Sequence, residues 1–126
     1  MSRVLVVDDD PAVGRLMGIV LRSAGHQARK AEDLREANRL LLDWEPEVVL
    51  LDLRLGTDDG RDLFRTAREQ GSKAAFIVVS AYEAKRVSSE LGAEAWLEKP
   101  FEMEVLLTMV QEFAAGSDGV KPRTED

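Results

Sequence analysis

The chain has 126 residues, enough for one domain and too few for two. Its 44% hydrophobic and 33% charged residues suit a globular chain, and 17 basic against 24 acidic residues leave a net charge of −7, which argues against direct nucleic-acid binding. The absence of cysteine and a single histidine, His26, exclude disulfide frameworks, thiol catalysis, Cys-bound zinc and His-rich metal centres. The apolar runs are far too short to span a membrane, and Met1-Ser2-Arg3 opens no signal-peptide core, so a cytoplasmic location without membrane contact is expected.

Val4-Leu5-Val6-Val7 is the first predicted strand, a β-branched run short enough to be buried on both faces. Asp10 then caps a helix with Pro11 at its first position. Val13, Leu16, Met17, Val20, Leu21 and Ala24 share one face of that helix, and Gly25 stops it. His26 is expected to be exposed and without a role. Gln27–Ala31 is a weaker, mixed strand of the edge type. Asp33 and Glu36 resemble a capping box for a second helix, lined by Leu34, Ala37, Leu41 and Trp44 and ended by Pro46.

Val48-Val49-Leu50-Leu51 is the next clear strand. Asp58 and Asp59 read as turn residues before a helix from about Arg61 to Gln70. Phe76-Ile77-Val78-Val79 is a third clear strand, followed by a weaker helix over Glu83–Leu91 that Gly92 ends. Ala95–Glu98 is a second weak strand. The last helix runs from Glu102 to about Ala114, with Leu106, Met109, Val110 and Phe113 on its buried side and Leu107 off that stripe, toward the surface. Residues 1–115 thus form one domain, and 116–126 read as a polar tail or the start of a linker. Five alternations of strand and helix imply a parallel sheet with helices on both faces, since parallel strands need crossover connections.

In such a sheet, ligands bind beyond the carboxyl ends of the strands. The residues there are Asp8, Asp9 and Asp10 after the first strand, Asp52 after Leu51, Ser80 after Val79, and Lys99-Pro100 after Glu98. Crowded carboxylates repel one another unless a cation joins them. With no His or Cys at hand, hard oxygen ligands select Mg²⁺, Mn²⁺ or Ca²⁺. Such an ion could bring a phosphoryl group to Asp52 as nucleophile. Lys99 would balance charge on the phosphoryl oxygens and Ser80 would donate a hydrogen bond to one of them.

These motifs together resemble the receiver domain of bacterial two-component response regulators. The resemblance rests on Val6-Val7-Asp8-Asp9, Leu50-Leu51-Asp52-Leu53-Arg54-Leu55 with Asp59-Gly60, Ser80-Ala81 and Lys99-Pro100-Phe101, and covers about residues 3–114. It implies a flavodoxin-like (βα)5 fold whose five strands lie in the order 2-1-3-4-5. It makes Asp52 the phospho-acceptor, with Asp9 a direct Mg²⁺ ligand, Asp8 acting through water and the Arg54 main-chain carbonyl a further ligand. It makes Ser80 and Trp96 switch residues and Lys99–Pro100 a cis peptide. The implied partners are a histidine kinase or phosphotransfer protein and an output partner or missing output domain. A monomer, or a weak dimer on activation, is expected. The implied protein is a phosphoprotein switch with self-catalysed phosphorylation and dephosphorylation, not a turnover enzyme, and it changes the face made by its fourth helix, fifth strand (Ala95–Glu98) and fifth helix.

Two positions depart from the family pattern. Leu55-Gly56 stands where Met-Pro is usual, and glycine is expected to loosen that loop. Trp96 replaces a Tyr or Phe, and an indole offers only a donor. Two other readings compete: a degenerate receiver acting only as a protein-binding module, and an aspartate-nucleophile phosphohydrolase. The latter usually keeps an acid two residues after the nucleophile, where this chain has Arg54. A nucleotide or flavin binder would need a Gly-rich phosphate cradle after the first strand, and three aspartates stand there instead.

Overall fold

A computed structural model describes residues 2–116. The elements are β1 (Arg3–Val7), α1 (Pro11–Ser23), β2 (Gln27–Ala31), α2 (Leu34–Trp44), β3 (Val48–Asp52), β4 (Arg54–Leu55) and β5 (Asp58–Asp59). They continue with α3 (Gly60–Glu69), β6 (Ala75–Ser80), α4 (Ala84–Leu91), β7 (Ala95–Glu98) and α5 (Met103–Gly116). Among the described residues, five strands form one parallel sheet in the order β2-β1-β3-β6-β7. Counted over its five strands this is the order 2-1-3-4-5, the flavodoxin-like arrangement. The tail expected beyond 116 lies outside the described residues.

The central strands are buried along their length because their runs are apolar at every position. All six residues of β6 are buried, as are Val4–Val7 of β1. Alternate side chains then feed two separate cores. Leu5, Val7, Val49, Leu51 and Phe76 pack under α2 and α3. Val4, Val6, Leu50, Ile77 and Val79 pack under α1 and α5. Each fully buried Leu, Ile or Val stabilises the fold by about 2 kcal/mol over an exposed one. The edge strand β2 carries Arg29 and Lys30, and charges there discourage pairing with another chain.

Local signals set the helix ends. Asp10 Oδ1 accepts the Ala12 N–H at 3.0 Å, with Pro11 opening α1. Asp33 Oδ1 accepts the Glu36 N–H at 2.9 Å, half of the expected capping box. The other half differs, since Glu36 Oε1 reaches the N–H of Glu32 at 3.4 Å. Pro46 follows α2 after Glu45 turns into the left-handed region.

Several expectations need correction. Leu16 is 51% exposed, although it shares the periodic face of α1. The buried stripe is rotated to Gly14, Met17, Gly18 and Leu21, because the Lys30 stem lies over Gly14 and the Arg22 guanidinium over Gly18. Leu107 packs against the α1/α5 core, so the apolar stripe of α5 is wider than its spacing suggests. His26 is half-buried, and its Nδ1 is enclosed without a hydrogen-bond partner. Asp58 and Asp59 do more than turn the chain: they form β5, which pairs antiparallel with β4 in a small ribbon.

Candidate functional site at the carboxyl edge of the sheet

The sheet delivers its polar residues to one edge. Asp8 extends β1 by one hydrogen bond, its N–H donating to the Ala31 carbonyl at 3.1 Å, so its side chain stays 4% exposed. Asp52 and Ser80 are the last residues of β3 and β6. Lys99 follows β7, with its N–H on the Ser80 carbonyl at 2.9 Å, and its peptide bond to Pro100 is cis. Gly60 opens α3 against the end of β3, its N–H donating to the Leu53 carbonyl at 2.8 Å. Only glycine fits that approach, because a Cβ there would collide with the Asp52 carbonyl oxygen.

Asp8, Asp9 and Asp52 form a cluster: each offers a carboxylate oxygen, and the three oxygens lie within 4.8 Å of one another. Lys99 Nζ bridges two of them, donating to Asp8 Oδ2 at 3.0 Å and to Asp52 Oδ2 at 3.1 Å. Main-chain amides hold three of the other four oxygens. Asp8 Oδ1 accepts from Asp10 N–H at 2.9 Å, Asp52 Oδ1 from Arg54 N–H at 3.1 Å, and Asp9 Oδ2 from Gly56 N–H at 2.7 Å.

The electrostatics show a site short of positive charge. Burial pushes the Asp52 carboxyl above its ordinary value, and the neighbouring Asp8 charge adds to this. The Arg54 amide and Lys99 pull the other way without cancelling the rise. Burial alone would lower the Lys99 ammonium. Its hydrogen bond to Asp8 and the charge of Asp52 outweigh that and hold it above the ordinary lysine value. One ammonium thus faces three carboxylates. These residues fit a divalent ion: hard oxygen donors, close together, incompletely neutralised, with neither His nor Cys among them.

The other singled-out residues sit around this cluster. Ser80 Oγ is buried and engaged locally, donating to the Tyr82 carbonyl and accepting from the Tyr82 N–H, both at 3.2 Å. Trp96 is paired in register with Val78 and is 38% exposed, on the face of β7 opposite buried Leu97. Arg54 lies in β4 with its guanidinium 5.7 Å from the centre of the Tyr82 ring, so the loops after β3 and β6 touch. Asp59 caps α3, and Arg61 beside it holds its carboxyl below the usual range. Reading side chains along the sequence missed the main-chain amides of Asp10, Arg54 and Gly56, and of these Gly56 lies farthest along the chain from the carboxylate it holds. Its only signal was the departure from the family's Pro. Through that amide Gly56 also joins its loop to Asp9.

The family model described as the response regulator receiver domain matches residues 4–111. The chain belongs to that family. It is the receiver domain of a two-component response regulator, with acidic residues gathered at its pocket, and receiver domains are signalling proteins rather than classical enzymes. The chain is 32% identical over 123 residues to the virulence transcriptional regulatory protein PhoP of Salmonella typhimurium, covering 95% of this chain and 55% of that protein. It is 31% identical over 121 residues to the transcriptional regulatory protein PhoP of Escherichia coli K12, covering 94% and 54%. The receiver thus spans about half the length of these curated relatives. Among solved structures, the CheY-like receiver domain protein of Methanospirillum hungatei JF-1 superposes with a TM-score of 0.87 at 24% identity, covering 94% of this chain and 98% of that one. The receiver domain of Francisella response regulator 1452 gives 0.86 at 25%, covering 93% and 99%. Among the described residues, no helix is long and apolar enough to cross a membrane.

Proposed function

We propose that this receiver is a phosphorylation switch in which Asp52 accepts a phosphoryl group from a histidine kinase or phosphotransfer protein. The observation that carries the reading is the Lys99 ammonium set between Asp8 and Asp52, with Asp9 closing a cluster that one cation leaves under-neutralised. Asp8, Asp9 and Asp52, with the Arg54 carbonyl, would hold Mg²⁺. When bound, the ion supplies positive charge to the carboxylates and to the phosphoryl oxygens.

The chain's own residues have distinct tasks. An Asp52 carboxylate oxygen attacks phosphorus in line, the bond from phosphorus to the donor imidazole nitrogen breaks, and the imidazole leaves with that electron pair. The Arg54 N–H holds Asp52 Oδ1, which fixes the carboxylate plane. Lys99, already on Oδ2, stays beside the new negative charge. Ser80 exchanges its local bonds with Tyr82 for a phosphoryl oxygen. That exchange draws on the loop leading into α4, where Glu83 takes a left-handed backbone and makes no side-chain cap. Trp96 on neighbouring β7 is the second switch residue, and the surface of α4, β7 and α5 carries the signal to an output partner.

Residues 1–115 would be the working unit, in the cytoplasm, monomeric or weakly dimeric when active. The relatives named as transcriptional regulators suggest an output in gene control, exerted through a partner or an attached segment and not through nucleic-acid contact by this acidic domain. Intact-mass spectrometry after incubation with acetyl phosphate tests the reading. An added phosphoryl mass that requires both Mg²⁺ and Asp52 is expected. An adduct that survives Asp52→Asn would overturn the assignment.

A further inference from the structure

Each carboxylate of the cluster has one oxygen on a main-chain amide, but the three anchors differ in kind. Asp8 is held by Asp10 and Asp52 by Arg54, each two residues along the same turn. Asp9 is held by Gly56, 47 residues away, across the gap between the β1–α1 and β3–α3 connections. Asp9 is exposed and has no other hydrogen bond or ion pair among the described residues. Asp8 and Asp52 share Lys99 as a second restraint, and Asp9 does not.

We propose that Gly56 is a positioning residue for the cation site, its N–H aiming Asp9 at Asp8 and Asp52. The inference rests on the reading of this cluster as a divalent-cation site. The backbone at Gly56 lies in the left-handed region, with φ +63, and that conformation presents the N–H to Asp9 at 2.7 Å. A Cβ at this position would have nothing within 4 Å, so conformation and not space favours glycine. Asparagine tolerates this region better than other residues with a side chain and keeps the N–H. Proline loses on both counts, having no N–H and a φ fixed near −65°. A carboxylate released from its outer partner samples several rotamers, and groups that orient metal ligands in this way typically govern affinity by about ten- to a hundredfold.

Calorimetric titration of Mg²⁺ into the full chain, comparing wild type, Gly56→Asn and Gly56→Pro, tests this. Wild type is expected to bind, Gly56→Asn to bind within about twofold of it, and Gly56→Pro to bind about tenfold more weakly with an unchanged circular dichroism spectrum. Equal affinity of wild type and Gly56→Pro, or equal weakening by both substitutions, would overturn the role of the N–H. A wild type that takes up no Mg²⁺ would remove the cation-site reading and this inference with it. Should Gly56→Pro fail to fold, amide NMR decides. The Gly56 amide proton should exchange slowly in wild type and faster, with an upfield shift, in Asp9→Ala. An unchanged Gly56 resonance in that variant would refute the contact.

Discussion

The two ends of the sheet handle charge in opposite ways. At the amino end, Arg3 donates to the carbonyls of Trp44 and Glu45 at 2.9 and 2.8 Å, and Glu47 accepts the Arg3 N–H. Arg68 donates to the Ala74 carbonyl at 2.9 Å and to both oxygens of Glu94, which also accepts the Phe76 N–H at 2.7 Å. One cation, Arg68, pairs with one carboxylate, Glu94, while carbonyls take up the Arg3 guanidinium and a main-chain N–H takes up Glu47. At the carboxyl end, three carboxylates stand together with one ammonium, which pairs with two of them. A balanced network ties strand starts and helix ends together. An unbalanced one is held ready for a positive ligand, and perturbed groups of this kind mark working sites.

Removing a carboxylate charge should therefore have opposite signs at the two ends, while removing the one ammonium at the carboxyl end should destabilise. The largest effect is expected from Lys99→Met, which leaves Asp8 and Asp52 facing each other without their cation. A loss of about 2 kcal/mol in unfolding free energy is expected by urea denaturation, together with loss of phosphoryl acceptance. A stability equal to wild type would show that the bridge matters little to the fold. Next comes Glu94→Gln at the opposite end. It removes the charge from a satisfied pair with Arg68 and should destabilise by about 1 kcal/mol while leaving phosphoryl acceptance intact.

Asp52→Asn should do the reverse of Glu94→Gln and raise the melting temperature at neutral pH without Mg²⁺. The sign follows from the raised carboxyl of Asp52. The folded state holds that proton more tightly than the unfolded chain, so stability from this group is full below the ordinary value near 3.8 and is lost as pH rises through the higher folded value. Ionised Asp52 is then a cost at pH 7, which the neutral amide avoids. The gap between the two proteins should close as pH falls through the carboxylate range. A gap independent of pH would point to packing in place of charge.

Much of this contrast was legible in the sequence. Three β-branched runs give β1, β3 and β6, and even the mixed segments Gln27–Ala31 and Ala95–Glu98 match β2 and β7. Asp8, Asp9, Asp52, Ser80 and Lys99 could be assigned to one edge because parallel strands present their ends together. Helical spacing showed which residues of α1 share a face, but not that Lys30 and Arg22 would cover Gly14 and Gly18 and leave Leu16 outside. The β4–β5 ribbon was hidden because two-residue strands carry no periodicity. The Gly56 contact was hidden because a main-chain donor has no side-chain signature.

Melting temperature against Mg²⁺ concentration tests the contrast most directly. Wild type and Glu94→Gln are expected to rise together, by about 1.4 kcal/mol of stability for each tenfold of Mg²⁺ above the dissociation constant, and Asp9→Asn to respond far less. A wild type that ignores Mg²⁺, or an Asp9→Asn that responds as strongly as wild type, would contradict the assignment of this edge as a cation-dependent site.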